Sequence, residues 1–291
     1  MVVAPPPALP RGRTLTLPGR GTTFVREVPG PPDAPTLLLL HGWMATADLN
    51  WFTCFPALGE HFRVIALDHR GHGRGIRTWR PFSLEDCADD AATLVRQIDA
   101  GPVIPVGYSM GGAVAQLLWK RHPDTVAGMV LCSTSRSFSA QAPGSQLWFT
   151  SLLGLSLAAH LTPKPVLRRV VAKVVRRRAQ RVLDEWGLAE LERSDSPTLL
   201  HAGWTLGRFE SEEWITALDV PAAVIVTTHD QVVSPQRQRG LATAIPGATL
   251  HEVDAGHAAV VTHREDFVPV LVEACARVAR RAGLVGSIGR G

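Results

Sequence analysis

Cysteine is scarce in this sequence, with four residues among 291. They form no CxxC pair and no spacing suited to a metal, so neither a zinc module nor a disulfide framework is indicated. Each lies in an apolar segment, which predicts buried free thiols and suits a reducing compartment. The four are Cys54, Cys87, Cys132 and Cys275.

Long hydrophobic runs are also missing. A helix that crosses a bilayer needs about 20 apolar residues, and the longest runs here, 127–131 and 220–226, have the length of core strands. The N-terminal residues have no basic segment ahead of an apolar one, so we expect no signal peptide and a cytoplasmic protein. The formal net charge of +4 is too small to indicate a nucleic-acid partner.

Short apolar runs alternate with amphipathic segments, and no internal repeat is visible. This alternation predicts an α/β fold with a mostly parallel central sheet and helices on both faces. The first two strands alternate polar and apolar residues, as antiparallel edge strands do. Predicted strands cover 13–17, 22–28, 36–40, 62–67, 103–108, 127–132, 220–227 and 248–253, and the main predicted helices cover 48–61, 83–98, 112–120, 236–244 and 264–281.

The alternation is interrupted once. Residues 136–217 contain helical segments but no convincing core strand. We interpret them as a helical lid inserted into a core made of 13–135 and 218–282, with flexible tails at 1–12 and 283–291. Ligands of open α/β sheets bind outside the carboxyl ends of the strands, and we expect the lid to lie over that edge.

A strand, a tight turn and a helix meet at the motif Gly107-Tyr108-Ser109-Met110-Gly111. Glycines at both ends remove Cβ atoms where strand and helix would cross closely. The serine at the turn would be held in a strained conformation with its Oγ exposed. A glycine-rich turn with a solvated serine is the alternative, but the flanking strand and helix favour a nucleophile.

A serine nucleophile needs a general base and an acid that orients it. Among eleven histidines, His257 follows the last predicted strand, which brings it to the same sheet edge as Ser109. Asp230 follows the preceding strand, and the chain order Ser109, Asp230, His257 is typical of this constellation. Asp254 is a rival acid, with a poor reach from the histidine's own loop.

Two backbone N–H groups are expected to bind the oxyanion that forms during attack. Met110, directly after the nucleophile, would supply one, and Trp43, in the loop after strand 36–40, would supply the other. His41-Gly42 could instead form a purely structural turn. Both interpretations can hold, with His41 bracing the loop while Trp43 donates.

Taken together, His41-Gly42-Trp43, Asp68-x-Arg70-Gly71-His72-Gly73, the motif at 107–112, Asp230 and Gly256-His257 resemble the α/β-hydrolase superfamily over about residues 13–282. The resemblance implies esterases, lipases, thioesterases and related acyl-transfer enzymes, without a metal or organic cofactor. Relatives with an aspartate nucleophile are disfavoured because position 109 is serine.

The function predicted from these residues is cleavage of a carboxylic ester through an acyl-enzyme. An acyltransferase, thioesterase, perhydrolase or C–C bond hydrolase on the same triad remains open, as does a non-catalytic small-molecule binding protein. Aromatic residues at Tyr108, Trp148 and Trp204 are expected to line an apolar pocket, which favours an apolar acyl ester substrate. Chain length and stereoselectivity do not follow from the sequence.

Residues 164–181 contain eight basic side chains and no acid, with an apolar stripe at helical spacing. One interpretation is a lid helix with a solvated basic face. The other is a contact with an anionic membrane or an acidic carrier protein, which would make the protein membrane-associated. The basic side chains are Lys164, Arg168, Arg169, Lys173, Arg176, Arg177, Arg178 and Arg181.

Overall fold

The computed structural model describes residues 7–138, 145–162, 166 and 184–284. Within them, eight strands form one sheet in the order β1-β2-β4-β3-β5-β6-β7-β8. β1 and β2 pair antiparallel with each other, β2 pairs antiparallel with β4, and all other pairs are parallel. The strands are β1 Gly12–Leu17, β2 Gly21–Val28, β3 Thr36–Leu40, β4 Arg63–Leu67, β5 Ile104–Tyr108, β6 Met129–Cys132, β7 Ala222–Thr227 and β8 Thr249–Val253.

Ten α-helices lie in the same described part of the chain. They are α1 Ala47–Trp51, α2 Phe55–Gly59, α3 Leu84–Gln97, α4 Met110–Arg121, α5 Ser145–Leu161, α6 Glu185–Glu192, α7 Ser196–Gly207, α8 Pro235–Ala244, α9 Ala259–Thr262 and α10 Arg264–Arg281. None of the described helices has the length and apolar character needed to cross a bilayer.

Helices cover both faces of the sheet, as the apolar runs predicted. Every residue of β3, β5, β6 and β7 is buried, because side chains on both sides of these strands meet a helix layer. One core cluster joins the sheet to α3, α4 and α8 through residues such as Leu94, Leu117 and Leu241. The other joins it to α1, α2 and α10 through Trp51, Phe55 and Phe267. The predicted α/β fold is confirmed.

The segment predicted as one helix over 48–61 is two short helices. Pro56 lies in the first turn of α2, where its missing N–H costs nothing, but it could not continue a helix from α1. The predicted start of the ordered chain is slightly late. Arg26 donates to the Pro10 carbonyl at 2.6 Å, and the Glu27 N–H donates to the Arg11 carbonyl at 3.1 Å.

Helices α5, α6 and α7 fall in the segment predicted as a lid. Its described ends meet, since the Ser211 N–H donates to the Arg136 carbonyl at 2.8 Å. The Asp195 N–H before α7 donates to the Gly71 carbonyl at 2.8 Å, and the Trp43 indole N–H donates to the Leu199 carbonyl within α7 at 2.7 Å. Hence α7 lies against the loops that leave the carboxyl ends of β3 and β4. The basic stretch 164–181 lies outside the described residues except for Val166, and its partner remains a prediction.

Gly111 has no room for a side chain. A Cβ there would lie 2.0 Å from the Leu40 carbonyl oxygen and 2.8 Å from that of His41, both backbone atoms that cannot rotate away. We therefore expect Gly111→Ala to lower the free energy of unfolding by about 3 kcal/mol or more, measured by urea denaturation.

Gly154→Ala is the matched control, because this glycine lies within α5, is exposed and has nothing within 4 Å of the new Cβ. Alanine is the better helix former there, so stability should stay the same or rise by up to about 1 kcal/mol. Equal effects of the two substitutions would contradict the close crossing of α4 over β3.

Candidate active site

Ser109 lies on the turn between β5 and α4 and has an unusual backbone conformation. Its φ of 53° and ψ of −115° lie outside the regions that non-glycine residues favour. A Cβ on Gly107 would meet the Gly111 carbonyl oxygen at 2.4 Å, so the turn can be this tight only with glycine at position 107. The Thr134 hydroxyl donates to the Ser109 carbonyl at 2.8 Å and pins the turn to the segment after β6.

His257 and Asp230 meet Ser109 at the predicted sheet edge. The His257 Nε2 lies 3.0 Å from the Ser109 Oγ, and the His257 Nδ1 lies 2.7 Å from the Asp230 Oδ2. A carboxylate accepts from Nδ1–H, which leaves Nε2 to accept the serine proton. Asp254, the rival acid, instead lies 2.7 Å from His229 on the exposed surface. The geometry needed for general-base activation of a serine is therefore present.

Asp230 is buried and fully engaged. Its Oδ1 accepts the N–H groups of Val232 and Val233 at 2.8 and 2.9 Å. Gln238 Nε2 donates to its Oδ2 at 3.0 Å, and the Thr227 hydroxyl oxygen lies 2.9 Å from the same atom. Burial by itself would raise the pKa of Asp230, but the His257 contact and the two N–H donors outweigh it and lower the pKa.

The loop after β3 passes directly beside the serine. A Cβ on Gly42 would lie 3.4 Å from the Ser109 Cβ, and the Gly42 N–H donates to Asn50 Oδ1 at 3.0 Å. Trp43 is the next residue along this loop, and Met110 opens the helix on the other side of the serine. The positive end of the α4 dipole points at the same place. Of the two predicted oxyanion donors, Met110 thus follows Ser109 directly, and Trp43 follows Gly42, which lies beside Ser109.

Three buried histidines lie under this loop. The His41 ring centroid is 4.4 Å from that of His69 and 5.2 Å from that of His72. His41 Nε2 accepts the His69 backbone N–H at 2.9 Å, so its Nδ1 carries the proton and donates to the Gly42 carbonyl at 2.8 Å. Burial lowers the pKa of His41 to about 4 and that of His72 to about 3, and it holds the pKa of His69 well below its ordinary value. The loop is therefore braced by neutral imidazoles.

The predicted pocket residues have different surroundings. Tyr108 is 3% exposed and packs into the core cluster of α1 and α10. Trp204 lies edge-on to His201, at 5.3 Å between ring centroids, and Arg208 lies over its ring. Trp148 is in α5, and its side chain lies outside the described part. A pocket lined by Trp148 and Trp204 stays a prediction.

Sequence reasoning missed the side chains that hold the site in place. Asn50, Thr134, Thr227 and Gln238 each make a buried hydrogen bond to the loop, the turn or the acid. Gln238 lies in a polar stretch that resembles a solvated helix, although its side chain is completely buried. No local pattern distinguishes such residues, because their hydrogen bonds depend on how the loop, the turn and the acid are folded and not on residue type or periodicity. Among the described residues, no group of three or more His, Cys, Asp or Glu side chains could hold a metal ion.

The fold and this site define a class of enzymes, and comparison with known proteins identifies the same class. The model of the α/β-hydrolase fold family matches residues 35–264. The chain belongs to the α/β-hydrolase family and is an enzyme of that family, as the sequence motifs predicted.

Two curated relatives and one solved structure illustrate the similarity. A poly(3-hydroxyalkanoate) depolymerase of Ectopseudomonas oleovorans is 27% identical over 87% of this chain and 89% of its own length. A pimeloyl-[acyl-carrier protein] methyl ester esterase of Aromatoleum aromaticum is 32% identical over 82% of this chain and 97% of its own length. The fold of a hydrolase from Pseudomonas aeruginosa matches with a TM-score of 0.75 at 23% identity, over 90% of this chain and 97% of that one.

The histidines under the loop give stability a pH dependence of known sign. The pKa of each is lowered in the folded state, so the unfolded chain binds more protons than the folded one once the pH falls below about 6.5. Stability is complete above that pH and is lost on acidification toward the folded-state values of about 4 for His41 and about 3 for His72. We expect the urea-unfolding free energy to fall between pH 6.5 and pH 5, on average by about 1 kcal/mol per pH unit for each buried imidazole. A flat profile over this interval would show that these rings titrate normally.

Proposed function

We propose that the chain is a serine hydrolase that cleaves a carboxylic ester, with Ser109 as nucleophile, His257 as general base and Asp230 as orienting acid. The observation that carries the proposal is the pair of contacts at His257, 3.0 Å to the Ser109 Oγ and 2.7 Å to the Asp230 Oδ2. The name of one relative, a pimeloyl-[acyl-carrier protein] methyl ester esterase, points to the same bond.

In the first half-reaction, Ser109 Oγ attacks the ester carbonyl carbon while its proton moves to His257 Nε2. The negative charge that develops on the carbonyl oxygen is bound by the N–H groups of Met110 and Trp43. One such donor is worth about 10²–10³ in rate. The tetrahedral intermediate then collapses, and His257 Nε2 passes its proton to the leaving alkoxide. The products are an alcohol and an ester between the acyl group and Ser109.

In the second half-reaction, water takes the place of the alcohol. His257 removes a proton from water, and the oxygen attacks the acyl carbon within the same oxyanion site. Collapse of this intermediate breaks the bond to Ser109, which regains its proton from His257, and releases a carboxylic acid. Asp230 remains ionised throughout, and its negative charge stabilises the imidazolium that forms in each step. Its lowered pKa is consistent with this role.

The helices α5, α6 and α7 would form the lid over this edge. α7 contacts Trp43 through the Leu199 carbonyl, and Asp195, at the N-terminus of α7, contacts Gly71. We therefore expect a substrate approaching Ser109 to pass between the loops and these helices. We infer that residues of this segment select the acyl or alcohol group. A small apolar ester is the substrate class that the proposal favours, with Trp148 and Trp204 as candidate contacts.

Ser109→Ala removes the attacking oxygen. We expect labelling by a fluorophosphonate to disappear and turnover of short-chain nitrophenyl esters to fall by about three to six orders of magnitude. The thermal midpoint of unfolding should change little, which separates loss of the nucleophile from loss of the fold. Full labelling of this variant would refute the assignment of Ser109.

Asp230→Asn keeps the size of the side chain but removes the charge that fixes the His257 tautomer. We expect kcat for ester hydrolysis to fall by about 10³–10⁴-fold. Asp254→Asn is the matched control, since Asp254 is an exposed aspartate in the segment just before His257 and contacts His229 instead. It should retain activity within about twofold. A larger loss from Asp254→Asn than from Asp230→Asn would reverse the choice of acid.

A further inference from the structure

Tyr108, the only tyrosine in the chain, links the nucleophile to the base by a route separate from the catalytic hydrogen bonds. Its hydroxyl donates to the backbone carbonyl of His257 at 2.6 Å. Tyr108 directly precedes Ser109 and ends β5. The residue before the nucleophile therefore holds the main chain of the residue that must accept its proton.

The tyrosine ring is itself fixed on several sides. It meets Trp51, His257 and Phe267 in edge-on contacts, with centroids 6.1, 5.9 and 5.8 Å away. Its backbone pairs with Cys132 of β6, and the next amide, that of Ser109, donates to the Cys132 carbonyl at 2.9 Å. Burial raises the pKa of the Tyr108 hydroxyl, so it remains protonated and able to donate across neutral pH.

His257 needs such a contact because its side chain does not fix its backbone. The two ring nitrogens set where the imidazole edge lies, but the main chain can pivot about them. His257 is partly exposed and precedes the short helix α9, which begins at Ala259. A hydrogen bond to its carbonyl supplies a third point of attachment. With three points, the ring and main chain are both located relative to Ser109.

We propose that Tyr108 is a positioning residue, which holds the His257 main chain so that Nε2 stays within hydrogen-bond reach of the Ser109 Oγ. The assignment rests on the proposed function of Ser109 and His257. It gives Tyr108 a role beneath the catalytic residues, which is distinct from the predicted pocket-lining role. Misplacement of a catalytic group by about 1 Å can cost about 10²-fold in rate, which sets the scale of the effect.

The test compares Tyr108→Phe with Thr53→Val. Tyr108→Phe removes one oxygen and keeps the ring. Thr53→Val also removes one hydroxyl, which donates to the Val260 carbonyl at 2.7 Å, three residues beyond His257. Both variants lose a hydroxyl that donates to a backbone carbonyl of the same segment. The Tyr108 hydroxyl also contacts Ser133 and the Val260 backbone, so Tyr108→Phe should lower the urea midpoint at least as much as Thr53→Val. Only Tyr108→Phe frees the main chain of His257 itself.

We expect Tyr108→Phe to lower kcat for nitrophenyl ester hydrolysis by about 10- to 100-fold with KM within about twofold. Thr53→Val should keep both constants within about twofold. Unchanged kcat in Tyr108→Phe, or an equal loss in both variants, would overturn the proposal.

A second measurement does not depend on the substrate. The proton of His257 Nδ1 bonded to Asp230 should give a downfield proton NMR resonance, visible in the wild-type protein and in Thr53→Val but broadened or lost in Tyr108→Phe. If the wild-type protein hydrolyses no ester, the proposed function fails and this resonance alone decides the role of Tyr108. Its persistence unchanged in Tyr108→Phe would overturn that role.

Discussion

The contact on which the site depends is between two backbones. The first turn of α4 rests on the end of β3 so closely that a Cβ at Gly111 would lie 2.0 Å from the Leu40 carbonyl oxygen. Side chains cannot mediate a contact this short, so glycine is the only residue that fits without displacement. The consequence is chemical as well as structural. The turn that carries Ser109 is forced against the strand from which the loop of Gly42 and Trp43 emerges.

A second constraint maintains the shape of that loop. Three imidazoles fill the space beneath it, and the hydrogen bonds of His41 and His72 are to backbone groups. A charged imidazole there would lose its hydration, and no carboxylate of the described residues forms an ion pair with it in return. Neutral His41 can both accept from the His69 amide and donate to the Gly42 carbonyl. The bond that Nε2 accepts from the His69 amide exists only while His41 is unprotonated, because an imidazolium has no acceptor nitrogen. Preorganised donors need no rearrangement when the oxyanion forms, which is the main source of their effect on rate.

How much of this was predictable depends on whether a feature is local in sequence. The strands followed from apolar runs, and Ser109, Asp230 and His257 followed from their positions after successive strands. The division between α1 and α2 was also local, since it arises at Pro56, but the prediction gave it too little weight. Tyr108 could not be placed because its partner lies 149 residues away. Gln238 could not be placed because its bond to Asp230 forms only when the chain turns back between β7 and α8. An aromatic residue beside a nucleophile suggests a pocket wall, and only coordinates reveal that it turns inward.

The two proposed oxyanion donors differ in what holds them, and this bears on how selectivity can change. Met110 belongs to α4 and is fixed by the core alone. Trp43 is anchored on two sides, by the turn at Gly42 and by its indole N–H bond to Leu199 of α7. Its ring lies so close to Gly203 that a Cβ there would meet it at 2.5 Å. We therefore expect substitutions in α7 to shift Trp43 and to leave Met110 in place. Connecting segments vary more among related proteins than the elements that they join. If the segment proposed as a lid contacts substrate, this arrangement allows it to adjust one proposed donor while the position of Ser109 stays fixed.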